Sequence, residues 1–132
     1  MIGSQNRGVG RVRQAIKVDG QSCWTLFDTG ARNTYVTRSV AATLPTSEMA
    51  PFQAALGGSL REVHTAAILE AEIQGRPIST HALVIDEIGR DEEGKSIDVL
   101  FGALAMQQWG IRPVADEERL DLSRYPNAFL EF

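Results

Sequence analysis

The sequence predicts an all-β domain, either a barrel or a sandwich. Short runs rich in β-branched and aromatic residues recur along the chain, turns that contain glycine separate them, and only two segments have a helical composition. The chain has 132 residues, of which 43% are apolar and 23% charged, as is usual for one globular domain. We therefore predict a single domain over residues 9–132, preceded by a flexible arm over residues 1–8.

The first two strands are predicted to form a hairpin. Arg11–Val18 alternates roughly polar and apolar residues and meets Asp19-Gly20, a dipeptide typical of two-residue hairpin turns. Trp24–Phe27 is the return strand, and Asp28 follows it directly.

A third strand and a short helix come next. The β-branched and aromatic residues of Asn33–Thr37 favour a strand. Ser39–Leu44 is predicted to be helical, with Thr37 or Ser39 as its N-terminal cap and Pro45 as its end.

The remaining elements are two further hairpins, one helix and three short strands. The hairpin strands lie on either side of glycine turns, and the predicted pairs are Phe52–Leu56 with Leu60–Thr65, and Ala67–Ile73 with Pro77–Ile85. The helix Ala103–Trp109 ends at Gly110. The three short strands are Ile97–Phe101, Arg119–Leu122 and Ala128–Phe132.

Composition and charge exclude several classes of function. With 17 acidic and 13 basic residues the net charge is −4, so we expect no nucleic-acid partner. No apolar run is long enough to cross a bilayer, and the first residues lack the apolar core of a secretion signal. One cysteine and two scattered histidines form neither an internal disulfide nor a common zinc framework. We expect a cytoplasmic protein without a membrane partner or a metal site.

Most catalytic patterns are absent from the sequence. It contains no Gly-x-Ser-x-Gly elbow, no phosphate loop and no His-Glu-x-x-His. His64 and His81 lie on predicted strands, and we interpret both as partly exposed strand residues. Cys23 is interpreted as a small buried core residue.

One segment, Asp28-Thr29-Gly30, has the features of a catalytic loop. It places a carboxylate at the end of an apolar strand, where the charge needs partners because it leaves water. The Thr29 hydroxyl can donate a hydrogen bond, and Gly30 allows backbone N–H groups to approach the carboxylate. Taken alone, the tripeptide is equally compatible with an ordinary turn.

Four segments, taken in chain order, match the pattern of one family. They are Asp28-Thr29-Gly30-Ala31, Leu56-Gly57-Gly58-Ser59, Val99-Leu100-Phe101-Gly102 and Phe129-Leu130-Glu131-Phe132. The chain thereby resembles the retropepsin-like (retroviral-type) aspartic proteases. In that family the first segment is the catalytic loop and the second is the flap tip. The third packs beneath the loop, and the fourth is placed like the strand of the dimer sheet.

The resemblance implies a fold, an activity and a set of site residues. The fold is a small closed barrel with one or two short helices and a flap hairpin. The activity is that of an aspartic endopeptidase that works as a homodimer on peptide or protein substrates, since the chain has a single loop of this kind. Asp28 of each subunit would activate the water, and no cofactor is needed. The implied catalytic residues are Asp28, Thr29 and Gly30, and the implied substrate-binding residues are Ala31, Leu56, Gly57, Gly58, Ser59, Val99 and Leu100.

The sequence also departs from the family at two positions. Retroviral enzymes usually form an ion pair between an Asp two residues after the loop glycine and an Arg directly after the second glycine. Those positions hold Arg32 and Ala103 here, and Arg11 falls where another partner of that Asp would lie. Arg32 could pair instead with Asp98 or with an acid on a second subunit.

Two other functions stay open on the sequence alone. The first is a retropepsin-like domain that serves as a dimerisation or binding module without catalysis, because a fold does not dictate an activity. The second is an unrelated small barrel that binds a ligand.

Overall fold

The computed structural model describes residues 10–131, so residues 1–9, which include the predicted arm over residues 1–8, and the last residue lie outside the described residues. Strands dominate this part of the chain. In chain order the elements are β1 Arg11–Val18, β2 Gln21–Asp28, β3 Thr34–Thr37, α1 Arg38–Ala41, β4 Thr46–Leu56, β5 Ser59–Ile73, β6 Arg76–Ile85, β7 Val99–Phe101, α2 Ala103–Trp109, β8 Arg112–Val114, the single 3₁₀ turn Ala115–Glu117 and β9 Arg119–Asp121. The prediction of a mostly β protein with two short helices is therefore confirmed.

Seven of the strands form one sheet in the order β1-β2-β7-β3-β6-β5-β4. Strands joined by hairpin turns are antiparallel, whereas β2 pairs in parallel with β7 and β3 in parallel with β6. A further pairing places Lys17 of β1 opposite Glu72 of β5. Strands β8 and β9 form a separate antiparallel pair. Because β2 and β7 run side by side in the same direction, the residues after Asp28 and those after Phe101 leave the sheet next to each other, at the same end of the two strands.

The turn at Asp19-Gly20 determines the register of the first hairpin. Both residues have positive φ, as a two-residue turn that follows the twist of the strands requires. Val18 therefore lies opposite Gln21, and the same register carries on to Arg11 opposite Asp28. This hairpin was predicted correctly from its turn residues.

Two apolar clusters hold the sheet together. The larger one contains Phe27 and Phe101, whose ring centroids are 5.0 Å apart and whose side chains are fully buried. Burial of each such aromatic side chain contributes about 2–3 kcal/mol relative to exposure. The smaller cluster consists of Tyr35, Ala54, Val63, Leu83, Ile85 and Leu100.

Two middle strands differ from their prediction in length. β5 is one strand over Ser59–Ile73, where the sequence predicted two, because Ala66 continues the pairing with both neighbouring strands. β4 begins at Thr46 and passes Pro51 through an irregularity between Glu48 and Phe52. Proline cannot donate to a ladder, and β4 tolerates it because it lies at the edge of the sheet.

The helix α1 and the end of the chain also require corrections. The first helix spans Arg38–Ala41 alone, and a turn replaces the rest of the predicted Ser39–Leu44. Residues 128–131 of the predicted strand Ala128–Phe132 pair with none of the described strands of this single chain. A strand needs a hydrogen-bonding neighbour, and here the Phe129 ring packs edge-on against Trp109 instead, at 5.4 Å between centroids.

Candidate active site

The carboxylate of Asp28 lies where β2 turns into the next loop. The Gly30 N–H donates a 2.8 Å hydrogen bond to Asp28 Oδ1, and the Ala31 N–H donates to the Asp28 carbonyl at 3.1 Å. The side chain of Asp28 is 14% exposed, so one part of it faces solvent. These contacts fix the direction of the carboxylate and leave it reachable from outside.

Thr29 stabilises the loop from its other side. Both its N–H (2.8 Å) and its hydroxyl (3.3 Å) donate to the carbonyl of Gly10, just before β1. The hydroxyl thus bonds the backbone and not the Asp28 carboxylate that the sequence analysis had considered. Thr29 therefore anchors the loop to the start of β1.

The segment after β7 packs directly beneath this loop. The Gly102 N–H donates to Thr34 Oγ1 at 3.0 Å, and the Ala103 N–H donates to the Ala31 carbonyl at 2.7 Å. A Cβ atom on Gly102 would lie 2.2 Å from the Asn33 carbonyl oxygen, so only glycine fits there. This is the arrangement of loop and second glycine that the resemblance implied.

Arg11 is a neighbour of Asp28 that the sequence analysis did not identify. Its Nε atom lies 3.4 Å from Asp28 Oδ2, and its side chain is 52% exposed. The two residues are directly opposite in the β1–β2 register. Counting outward from the Asp19-Gly20 turn would have placed them together, so the signal was present in the sequence.

The hairpin of β4 and β5 ends in a tight glycine turn. Leu56 lies opposite Ser59, and Gly57 and Gly58 between them have φ values of +56° and +82°. Both positions are left-handed, which residues other than glycine rarely adopt. Nothing lies within 4 Å of a Cβ atom built on either glycine, so among the described residues the tip is surrounded by open space.

Three of the predicted substrate-binding residues meet at the smaller apolar cluster. Leu100 belongs to it, and Ala31 of the loop and Leu56 of the hairpin pack against it as partly buried side chains. This cluster therefore connects the loop, β7 and the hairpin tip. Val99 is different: its side chain is fully buried in the larger cluster, away from the other predicted substrate-binding residues. Successive side chains of a strand point to opposite faces, and only Leu100 points to the loop side.

A cavity of about 430 Å³ opens beside Arg11 and Leu26. Its wall includes the long loop between β6 and β7, which Asp91 holds in place. The Lys95 N–H and the Trp24 indole N–H donate to the Asp91 carboxylate at 2.9 and 2.8 Å, and both bonds lower the pKa of Asp91 below its usual value. Sequence reasoning missed this cavity because its wall comes from distant parts of the chain.

The structure also shows the surroundings of Arg32, one of the two positions at which the sequence departs from the family pattern. Arg32 is exposed and forms no ion pair within residues 10–131. The alternative pairing of Arg32 with Asp98 is wrong, since these two residues form no ion pair; Asp98 Oδ2 accepts the Trp24 N–H at 2.8 Å. The side chain of Cys23 is buried as predicted, and this burial, followed by the nearby Asp98 charge, raises the pKa of its thiol.

Neither histidine lies in the loop region. His64 Nδ1 is 2.9 Å from Glu48 Oε1 across the β4–β5 pair, and His81 is an exposed residue of β6. Over residues 10–131 no cluster of three or more potential metal-binding side chains exists. In the same part of the chain no helix has the length and apolar character needed to span a membrane.

An Asp-Thr-Gly loop at the end of a strand, with a second glycine packed beneath it on a mostly β fold, is the arrangement typical of aspartic proteases. Residues 15–104 match the family model described as aspartyl protease, and the chain belongs to that family. A solved structure, EIAV protease complexed with the inhibitor HBY-793, is similar at 22% identity and a TM-score of 0.50. The match covers 76% of this chain and 88% of that one, and it shows the retropepsin-like fold. No curated protein matches the chain.

Proposed function

We propose that the protein is an aspartic endopeptidase that acts as a homodimer, with Asp28 of each subunit forming the catalytic pair. The observation that carries this proposal is the Asp28 carboxylate itself: Gly30 orients it, Gly102 and Thr34 support its loop, and solvent reaches it. Family membership supports the same activity.

The chemistry requires two carboxylates that share one proton. Two like charges in close contact do not both ionise, so one carboxylate is a base and the other an acid. The base removes a proton from water as its oxygen attacks the peptide carbonyl, and the acid protonates the carbonyl oxygen. The chain has one Asp-Thr-Gly, and a two-fold axis beside Asp28 supplies the second carboxylate. The pair then titrates as a unit.

The smaller apolar cluster is proposed as the floor of the substrate cleft. Ala31, Leu56 and Leu100 lie together there, so apolar substrate side chains fit this surface. The hairpin tip at Gly57, Gly58 and Ser59 is proposed as a flap that closes over the substrate and excludes water. The β1–β5 pairing supports a barrel closed around the larger cluster.

The activity is tested by digestion of a peptide library with the wild type and with Asp28→Asn. The wild type should cleave peptides, a statine-type inhibitor that mimics the tetrahedral intermediate should block cleavage, and Asp28→Asn should abolish it. Asp19→Asn is the matched control, because it makes the same chemical change in an exposed turn where asparagine is well tolerated.

Two results would contradict the proposal. If Asp28→Asn cleaves as fast as the wild type, the activity comes from another source. If a folded, dimeric wild type cleaves nothing across an acidic to neutral pH range, the domain is a dimerisation or binding module.

A further inference from the structure

Arg13 of β1 connects two segments that are far apart in the sequence. Its backbone N–H donates to Glu118 Oε2 at 2.7 Å, and its guanidinium donates to both oxygens of the same carboxylate, from Nε at 3.3 Å and from Nη2 at 3.4 Å. The third guanidinium nitrogen, Nη1, lies 3.5 Å from Glu92, 3.6 Å from Glu93 and 3.8 Å from Asp91, measured to a carboxylate oxygen of each. These three acids belong to the long loop between β6 and β7. One side chain thus joins that loop to the connection between β8 and β9.

Both ends of this bridge are partly shielded from water. The side chain of Arg13 is 20% exposed and that of Asp91 only 2%, so their interaction is less screened than an ion pair on the open surface. At the other end, Glu118 has a φ of +49°, a left-handed conformation that residues other than glycine rarely adopt. The bridge therefore includes a residue with an unfavourable backbone conformation, and its charge-assisted hydrogen bonds to Arg13 hold that residue in place.

The two joined segments form most of the wall of the 430 Å³ cavity, through residues 90–92 and 97 on one side and 115, 116 and 118 on the other. The rest of the wall lies close to the proposed active site. Arg11 lines the cavity and contacts Asp28, and Leu26 lines it and also packs against the smaller apolar cluster. The cavity thereby continues the proposed substrate cleft.

The wall of this cavity differs in chemistry from the apolar floor of the cleft. Seven of the residues that line it are charged: Arg11, Arg13, Arg90, Asp91, Glu92, Asp116 and Glu118. A guest that displaces water from such a wall must itself offer hydrogen bonds or charge, because polar groups left without partners are costly. The cavity therefore suits a polar or charged side chain of a substrate.

We propose that Arg13 is a positioning residue that sets substrate selectivity: it fixes the shape of a subsite for a polar or charged substrate side chain by holding the long loop to the β8–β9 connection. The proposal rests on the homodimeric peptidase function proposed above. A symmetric dimer has two such cavities, so selectivity is set at two substrate positions, one on each side of the scissile bond. Arg13 does not contact Asp28, so its loss should affect substrate recognition and leave the chemical step intact.

The first test measures how firmly the loop is held and does not require activity. Arg13→Gln is made in an Asp28→Asn background, which prevents self-cleavage, and is treated with trypsin. Lys95 is an exposed trypsin site in the long loop, and cleavage after it should become roughly tenfold faster, because the rate follows the population of the opened loop. Cleavage within the strands reports global unfolding and should not change in native buffer. Lys17→Gln is the matched control, because it removes the same charge from an exposed position of the same strand.

The second test compares the cleavage profiles of the active enzymes on a peptide library. The wild type should select polar or charged side chains at a symmetric pair of positions. Arg13→Gln should lose about tenfold of this selectivity through a higher KM, with kcat within about twofold of the wild type. Glu118→Gln should act in the same direction. The double variant should be no worse than Arg13→Gln alone, since both changes break one contact.

Three results would overturn the inference. The first is an Arg13→Gln variant that keeps both the wild-type profile and the protection of Lys95 from trypsin. The second is an equal loss of cleavage on all peptides, which indicates a purely structural role. The third is full additivity of the two substitutions, which means that they act separately. A wild type that cleaves no peptide overturns the proposed function and the subsite with it, whereas an active enzyme with an unchanged profile overturns the role of Arg13 alone.

Discussion

Replacement of Gly102 by alanine should displace the Asp28 loop. The added Cβ atom would lie 2.2 Å from the Asn33 carbonyl oxygen and 2.9 Å from that of Arg32. Both contacts are with backbone, so no flexible side chain can move aside, and the loop and α2 must separate. The separation strains the hydrogen bonds that Gly102, Ala103 and Leu104 donate to the loop region.

The magnitude follows from these contacts. Overpacking costs about 1–3 kcal/mol, and each weakened hydrogen bond costs about 1 kcal/mol. With three such hydrogen bonds, the expected decrease in the free energy of unfolding is about 4–6 kcal/mol, a large share of the 5–15 kcal/mol typical of a domain. Peptidase activity should fall by more than the loss of folded protein accounts for, because the Asp28 carboxylate moves with the loop.

Urea denaturation at one fixed protein concentration measures the loss of stability, and peptide cleavage measures the loss of activity. Gly75→Ala is the control: it lies in the β5–β6 turn at φ +79° with nothing within 4 Å of the new Cβ atom. It should cost about 1 kcal/mol through backbone strain and leave cleavage unchanged. A Gly102→Ala variant as stable as Gly75→Ala would refute the argument that the loop rests on this glycine.

Three further changes test other parts of the molecule. Gly58→Val should lower turnover far more than the Tm, since the tip of the β4–β5 hairpin needs a left-handed residue but lies outside both cores. Unchanged kinetics would mean that the hairpin is not a lid. A chain that ends at Asn127 loses Phe129 and Leu130, which are 54% and 92% exposed, and should sediment as a monomer if they bind a second copy; a dimer would locate the interface elsewhere. Because hydrogen bonds lower the pKa of Asp91, its carboxylate stabilises the fold at neutral pH, and this stabilisation is lost as the pH falls through that pKa. Asp91→Asn should thus lower the Tm near pH 7 by more than it does near pH 3, and a pH-independent difference would contradict this assignment.

Features that depend on neighbouring residues were predictable from the sequence. The Asp19-Gly20 turn predicted the first hairpin. Gly110 predicted the end of α2, and in the structure the helix ends at this residue, which has a left-handed conformation. The loop at Asp28 was identified from its own residues and from the order of the segments after it. Such features follow from local backbone preferences, which a short stretch of sequence contains.

Features that depend on a partner strand were not predictable in the same way. Strand β8 over Arg112–Val114 was missed because its three residues have little strand character without β9 beside them. The predicted strand Ala128–Phe132 has the composition of a strand but no neighbour among the described residues. Composition indicates that a segment can pair, and tertiary structure decides whether it does.

The sequence by itself determined the class of fold, the Asp-Thr-Gly loop and the family. The tertiary structure decided which residues surround the carboxylate. Gly102 lies under the loop because β7 inserts in parallel beside β2, and the same insertion points Leu100 toward the loop and buries Val99. Arg13 meets Asp91 and Glu118 across even longer separations in sequence. A parallel pairing of strands about seventy residues apart depends on the packing of the whole core, and no local pattern specifies it.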